Sequence, residues 1–207
     1  AFAMIGEREA YLFVDEEKLS EDLWSLLGED GVEMRRYEDF IPAVERITDG
    51  GRVVLSPSKI GCDVLAAIPE GCPVLEKEDV TSFLKARKND VEIKGFREAM
   101  RKDGVAMVRF LTWLEHAWER GGEDEVSIGL RLRDFRSRMP GFMGESFAPI
   151  VAFRDHGAIM HYSASPETAY ELEGEGLLLV DSGGHYLEGT TDITRVIPFG
   201  EVGEQHR

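Results

Sequence analysis

Cysteine is nearly absent. Cys62 and Cys72 are the only two in 207 residues, with no CxxC spacing and no outline of a disulfide framework, so they read as ordinary thiols of a cytosolic protein. No run of about 18 apolar residues could span a bilayer. No basic-then-apolar segment opens the chain as a secretory signal would. A membrane partner is therefore not expected, and a cytoplasmic location is. Positive charge is also scarce: 24 Lys and Arg stand against 40 Asp and Glu, a formal net charge of -16 with a pI near 4.7. Nucleic-acid binding relies on basic patches that release counterions, so that class is excluded. An acidic chain suits cationic partners such as metal ions or the amino end of a peptide. Neither an internal repeat nor a low-complexity tract is present.

What the chain does contain is enough apolar material, 43% of residues, to bury a core in one large domain or two small ones. Up to about residue 75 short strands and helices alternate. "AFAMI" and "AYLFV" read as a strand pair joined through Gly6, and Ser20 caps a helix that stops at Gly28 or Gly31. "VEMRRY", "EDFIPAVERI", "RVVLS" and "SKIGCDVLAAI" continue as strand, helix, strand and helix, an α/β pattern.

From about Thr81 the texture changes, and a second domain is expected. Ile93, Phe96, Met100, Met107, Leu111, Leu114 and Trp118 follow steps of three and four, with Gly104 on the same seam, until Gly121-Gly122 ends the helix. Ile128, Leu132, Phe135 and Met139 mark a shorter helix closed by Pro140-Gly141. "SFAPIVAF", "GAIMHYS", "GLLLVDS" and "TTDITRVIPF" then read as strands of a mostly antiparallel sheet. Helices followed by strands predict an α+β fold with the helices on one face of the sheet.

The stretch "LLLVDSGGHYLEGTTDITR" carries the chemistry. Asp181 ends a hydrophobic strand, where an unpaired carboxylate costs several kcal/mol to desolvate. Asp192 follows eleven residues later, across the Gly183-Gly184 turn and the Gly189 break. A hairpin could bring the two together, and converging carboxylates must share a proton or a cation. Hard divalent ions favour such oxygen ligands. Spacing alone leaves two turn-capping aspartates as the alternative.

The surrounding residues go further. "VDSGGHYLEGTTDITR" closely resembles the metal-binding hairpin of the pita-bread metallopeptidases, in particular the Xaa-Pro aminopeptidases (aminopeptidase P), and "GAIMHYSASPET" resembles the segment that precedes that hairpin. "KARKNDVEIKGFREAMRKDGVAMVRFLTWLE" is similar to the linker and first long helix of their catalytic domain, and "AFAMIGEREAYLFVDEEKL" to part of the preceding domain. The resemblance implies residues 1–80 as part of a smaller α/β, creatinase-like N-terminal or middle domain, and 81–207 as the N-terminal half of a pita-bread catalytic domain.

Residue by residue, the resemblance makes Asp181 a chelator of one metal ion and Asp192 a bridge between two. It places His161 beside the scissile bond, hydrogen-bonding substrate or its developing oxyanion. Two divalent ions, Mn²⁺ by expectation with Zn²⁺ or Co²⁺ as alternatives, would hold a hydroxide that attacks the carbonyl before proline. Such coordination lowers the pKa of water and stabilises the charge formed on attack. Proline lacks an N–H and has a fixed φ, so a peptidase acting there needs a dedicated pocket. The implied function is removal of the first residue from peptides with proline second. The alternatives are a prolidase-type dipeptidase and a non-catalytic pita-bread binding module. The implied partners are proline-containing peptides, with a homodimer also allowed. The family completes its site with one histidine and two glutamates further along, whereas two aspartates cannot fill the roughly six positions that manganese prefers. The chain opens on an apolar strand and closes on "GEQHR" soon after another. It is therefore expected to be part of a longer polypeptide and inactive by itself.

Other candidates read more plainly. From residue type alone His161, next to Met160 in an apolar strand, is a satisfied core histidine. His185 and Glu188 face solvent, and His116 lies on the helix surface. His156 stands where the resembling family has an Asn-Gly-like turn. Thr194 and Arg195 brace the carboxylates. Trp113 and Trp118 pack the helix.

Overall fold

Phe2–Ile5 (β1) and Ala10–Val14 (β2) pair antiparallel with Phe2 opposite Phe13, and the Gly6 N–H closes the turn on the Glu9 carbonyl at 2.8 Å. They open a computed structural model that describes residues 1–47 and 52–203. Apart from Gly203, the closing "GEQHR" lies outside the described residues. The chain divides into two compact units, Ala1–Arg87 and Lys88–Arg207.

In the first unit Ser20 caps Glu21–Glu29 (α1), its hydroxyl accepting the Leu23 N–H, and Gly31 takes the positive φ of 77° that ends the run. Val32–Arg36 (β3) then pairs parallel with β2, giving the sheet order β1-β2-β3. Phe40–Glu45 (α2) accommodates Pro42 because the N–H of a first-turn residue has no helical acceptor. Val53–Leu55 (β4), Cys62–Ala67 (α3), Val74–Glu76 (β5) and Val80–Ala86 (α4) follow, with β4 and β5 parallel. Phe13, Phe40, Val44 and Val64 form the core, with Phe2 stacked on Phe40 at a centroid distance of 4.1 Å. The change expected near Thr81 falls within α4, a few residues before the units part.

The second unit begins with Asp90–Arg120 (α5), whose start is fixed by a capping box: Asn89 accepts the Glu92 N–H, and Glu92 accepts the Asn89 N–H. Its buried stripe is Ala99, Lys102, Asp103, Ala106, Met107, Phe110, Leu114 and Ala117. This corrects the expected seam, since Ile93 and Met100 are exposed. Small alanines and two charged residues occupy the inner face, and a count of large apolar residues passes over them. Glu125–Ser137 (α6) lays Ile128 and Leu132 against the same core, with Phe135 packed at its margin.

Two three-stranded sheets follow instead of one. Phe142–Glu145 (β6), Ile150–Phe153 (β7), Gly176–Ser182 (β8), Gly184–Tyr186 (β9), Gly189–Thr190 (β10) and Ile193–Phe199 (β11) pair antiparallel throughout, in the orders β11-β8-β7 and β10-β9-β6. Val151, Phe153, Leu178, Val180, Ile193 and Phe199 meet Met107, Phe110, Leu114, Ile128 and Leu132 in one cluster, so both helices cover the β11-β8-β7 sheet. Trp118 stacks near Phe199, and Trp113 lies between Phe110 and Phe135, as packing residues should. The expected strand "GAIMHYS" does not form. A 3-10 helix spans Arg154–Ala158 and an exposed turn follows, with Arg154 at φ 56° and His161 at φ 53°. Left-handed residues interrupt the extended chain that a strand requires.

Candidate active site

Asp181 and Asp192 belong to the hairpin made by β8 and β11. Thr194 lies opposite Asp181 in the ladder and donates its hydroxyl to Asp181 Oδ1 at 2.8 Å. Asp192 stands two residues before Thr194, just ahead of β11, so the two-residue period of an extended chain carries it to the side of the ladder that Asp181 occupies. Asp181 is half-buried and Asp192 exposed. Arg195 donates to the Thr194 carbonyl at 2.7 Å, bracing the strand rather than a carboxylate.

The chain between the aspartates is not a simple turn. Ser182 pairs directly with Ile193, and the intervening residues leave the ladder as a small ribbon, β9 and β10, that pairs with β6. Gly183 is required at the exit, because a Cβ there would collide with the Thr191 carbonyl and Ser146 Oγ. Thr191, the residue before Asp192, is buried and donates to Asp103 Oδ2 of α5 at 2.6 Å while accepting the Gly184 N–H at 2.9 Å. Asp103 is itself clamped by Arg136 of α6, with Nε on Oδ1 at 2.7 Å and Nη2 on Oδ2 at 3.2 Å, both side chains fully buried. The Tyr186 hydroxyl also donates to Asp103 Oδ1, at 3.1 Å. Burial, reinforced by the Asp103 charge, pushes the Tyr186 pKa up, so it stays a donor. Lys102 reaches Glu188 of the ribbon at 2.5 Å, a hydrogen bond that lowers the Glu188 pKa. The rim of the hairpin is thus tied to α5 at Lys102 and Asp103.

His161 does not sit in a core strand. It is exposed, and among the described residues no hydrogen bond or ion pair joins it to either aspartate. The turn that carries it is fastened to α6 through Glu125, which is 1% exposed. That carboxylate accepts the Phe153 N–H at 2.7 Å, the Tyr170 N–H at 3.0 Å and the Tyr162 hydroxyl at 2.7 Å. It also lies 2.9 and 3.0 Å from His156 Nδ1, which donates to it in the tautomer that carries the proton there. Burial, and secondarily the bond to Glu125, pushes the Tyr162 pKa up to about 12. His185 faces solvent beside Thr190, and His116 is exposed near Glu119.

Among the described residues no group of three or more His, Cys, Asp and Glu side chains could hold a metal ion. The donor set that is present, two aspartates on one hairpin, is the chemistry that hard divalent cations select. It fits such an ion in kind and would supply only part of its coordination. Asp103, Glu125, Arg136 and Thr191 were missed by sequence reasoning. The signals were there: charged residues set among apolar ones on a helix, and a glutamate directly after the N-cap Asp124.

Residues 94–207 match the model of metallopeptidase family M24, and residues 1–92 that of the creatinase/prolidase N-terminal domain. The chain belongs to metallopeptidase family M24: a creatinase-like N-terminal α/β unit precedes α+β structure of the pita-bread domain. Among its relatives, aminopeptidase P2 of Arabidopsis thaliana is 29% identical over 237 residues, covering 100% of this chain and 33% of its own length. Xaa-Pro aminopeptidase ApepP of Drosophila melanogaster is 34% identical over 209 residues, covering 99% and 34%. The crystal structure of an X-prolyl aminopeptidase from Caenorhabditis elegans, described as a cytosolic enzyme with a di-nuclear active site, superposes with a TM-score of 0.88 at 26% identity, over 98% of this chain and 34% of that one. The chain spans about a third of the length of the curated relatives it matches. None of its described helices is long and apolar enough to cross a membrane.

Proposed function

We propose that this chain is part of an Xaa-Pro aminopeptidase that removes the first residue from peptides with proline in second position. The observation that carries this reading is the β8–β11 hairpin, with Asp181 held by Thr194 and Asp192 two residues before it, in a chain of family M24. Asp181 and Asp192 would hold two divalent ions, which we assign as manganese, with the remaining ligands supplied by other parts of the whole protein. The di-nuclear site of the Caenorhabditis elegans enzyme supports the number. When bound, such ions supply Lewis acidity and activate water. The chain's own task is to orient two carboxylates: Thr194 fixes Asp181, and Asp103 fixes Thr191 beside Asp192. His161 would donate a hydrogen bond to the substrate, or to the oxygen on which charge develops. Proline-containing peptides are the substrates and the cytoplasm the location. A homodimer is compatible with this reading.

The test uses the complete protein. Manganese binding, followed by titration calorimetry, should be lost or severely weakened in Asp192→Ala, together with turnover of an Xaa-Pro-Xaa tripeptide. Manganese binding equal to wild type would refute the metal assignment. Turnover confined to Xaa-Pro dipeptides would make the protein a prolidase. Metal binding without any turnover would make it a binding module.

A further inference from the structure

The turn from Ile159 to Tyr162 has few anchors of its own. Ile159 and Met160 are exposed, His161 is exposed in left-handed backbone, and the local bonds are Ile159 N–H to the His156 carbonyl at 3.1 Å and Tyr162 N–H to the Ile159 carbonyl at 3.3 Å. Left-handed backbone costs a non-glycine residue about 1 kcal/mol, so a turn this open relaxes unless its ends are fixed. Both ends are fixed, and to the same group. His156, five residues before His161, and Tyr162, directly after it, each bond the Glu125 carboxylate. The His156 ring is also sandwiched, 3.6 Å from Tyr170 and 4.5 Å from Tyr162. Glu125 is in turn immobile, because it opens α6 and accepts the backbone N–H groups of Phe153 and Tyr170.

We propose that Glu125 is the positioning residue for His161, its one buried carboxylate clamping both ends of the turn that presents the exposed imidazole. The proposal rests on the role given to His161 above. A buried glutamate with four protein partners is more than packing requires, since an apolar residue of similar volume would avoid the desolvation cost. What the carboxylate adds is convergence: it ties a helix start, a strand end and two ring-bearing side chains at one point. Tyr162 remains a hydroxyl donor over the whole physiological range, so its own bond to Glu125 keeps its donor.

The experiment compares Glu125→Gln, Tyr162→Phe, His161→Ala and the combinations with His161→Ala, all in the complete protein. Tyr162→Phe removes one hydroxyl while leaving Glu125 its other partners, so it keeps the test alive if Glu125→Gln fails to fold. Each clamp variant should lower kcat on an Xaa-Pro-Xaa peptide by about tenfold or more with KM little changed, the signature of a misplaced catalytic group. Hydrogen exchange of the amides of residues 157–162 should quicken by about tenfold. In the His161→Ala background the clamp variants should have no further effect on kcat, because a residue acting through His161 is not additive with its loss. Unchanged exchange, or effects that add to those of His161→Ala, would overturn the proposal. Wild-type turnover by His161→Ala would instead remove the role given to His161, and the exchange result would still decide whether Glu125 anchors the turn.

Discussion

Thr194 Oγ1 donates to Asp181 Oδ1 at 2.8 Å from directly across the β8–β11 ladder. A carboxylate oriented by a neighbouring hydroxyl presents its other oxygen in a fixed direction. Thr194→Val keeps the shape of the side chain and removes the donor. In the complete protein it should weaken manganese binding by about 10–100-fold, the usual cost of losing such a partner. Competition with a chelator measures it, and an unchanged affinity would show that Asp181 is held by the strand alone.

Asp103→Asn leaves the Arg136 guanidinium buried without a counter-charge. Breaking a buried pair from one side costs about 3–5 kcal/mol. Urea unfolding should therefore shift strongly, and more for Asp103→Asn than for Thr191→Val, which removes one neutral donor worth about 1 kcal/mol. Equal shifts would mean that the guanidinium finds water when Asp103 is gone.

Gly183→Ala should disturb the hairpin out of proportion to one methyl group. The new carbon meets the Thr191 carbonyl, a backbone atom that cannot step aside without moving Asp192. Overpacking of this kind costs about 1–3 kcal/mol. Metal affinity should fall in the same variant, and a loss of stability at full affinity would uncouple Gly183 from the site.

His161→Gly relaxes a left-handed residue and removes the imidazole. Stability should stay within about 1 kcal/mol of wild type, since relief of strain offsets the greater freedom of the unfolded chain. Turnover by the complete protein should collapse. A large loss of stability would mean that His161 is structural after all.

Tyr162 gives an alkaline signature. Its folded pKa is raised to about 12 from 10.0, so the folded protein binds this proton more tightly than the unfolded chain. The stability it contributes is complete below pH 10.0 and is lost as pH rises to about 12. The tyrosinate absorbance of wild type minus Tyr162→Phe should show one group titrating late. Titration near the ordinary tyrosine range in folded protein would contradict the buried hydroxyl.

The elements that announced themselves in the sequence did so through local rules. Ser20, the apolar steps of α5 and α6, and the short apolar runs of β1, β2, β7, β8 and β11 each rest on a few neighbouring residues. The aspartates of the hairpin were visible for the same reason, with Gly183, Gly184 and Gly189 between them. "GAIMHYS" misled because its composition is that of a strand, whereas Arg154 and His161 are left-handed and the segment between and beside them is bonded, at His156 and Tyr162, to Glu125, which lies about thirty positions earlier. The inner face of α5 was misjudged at Met100 because Asp103 is buried by a partner, Arg136, that local periodicity cannot supply. Polar groups inside a core are legible only when both ends of the bond are known.

The bond from Thr191 to Asp103 spans 88 positions of the chain. Contacts of such length form only after the entropy of closing the intervening loop has been overcome, late in the folding of a domain. On the ribosome α5 emerges first and waits for the hairpin. Until the two meet, Asp192 exists without its geometry, and a nascent chain carries carboxylates that hold a cation no better than any other acidic segment. If Asp181 and Asp192 hold metal as proposed, their share of the site is acquired together with the tertiary fold, so that a misfolded copy should also take up little metal.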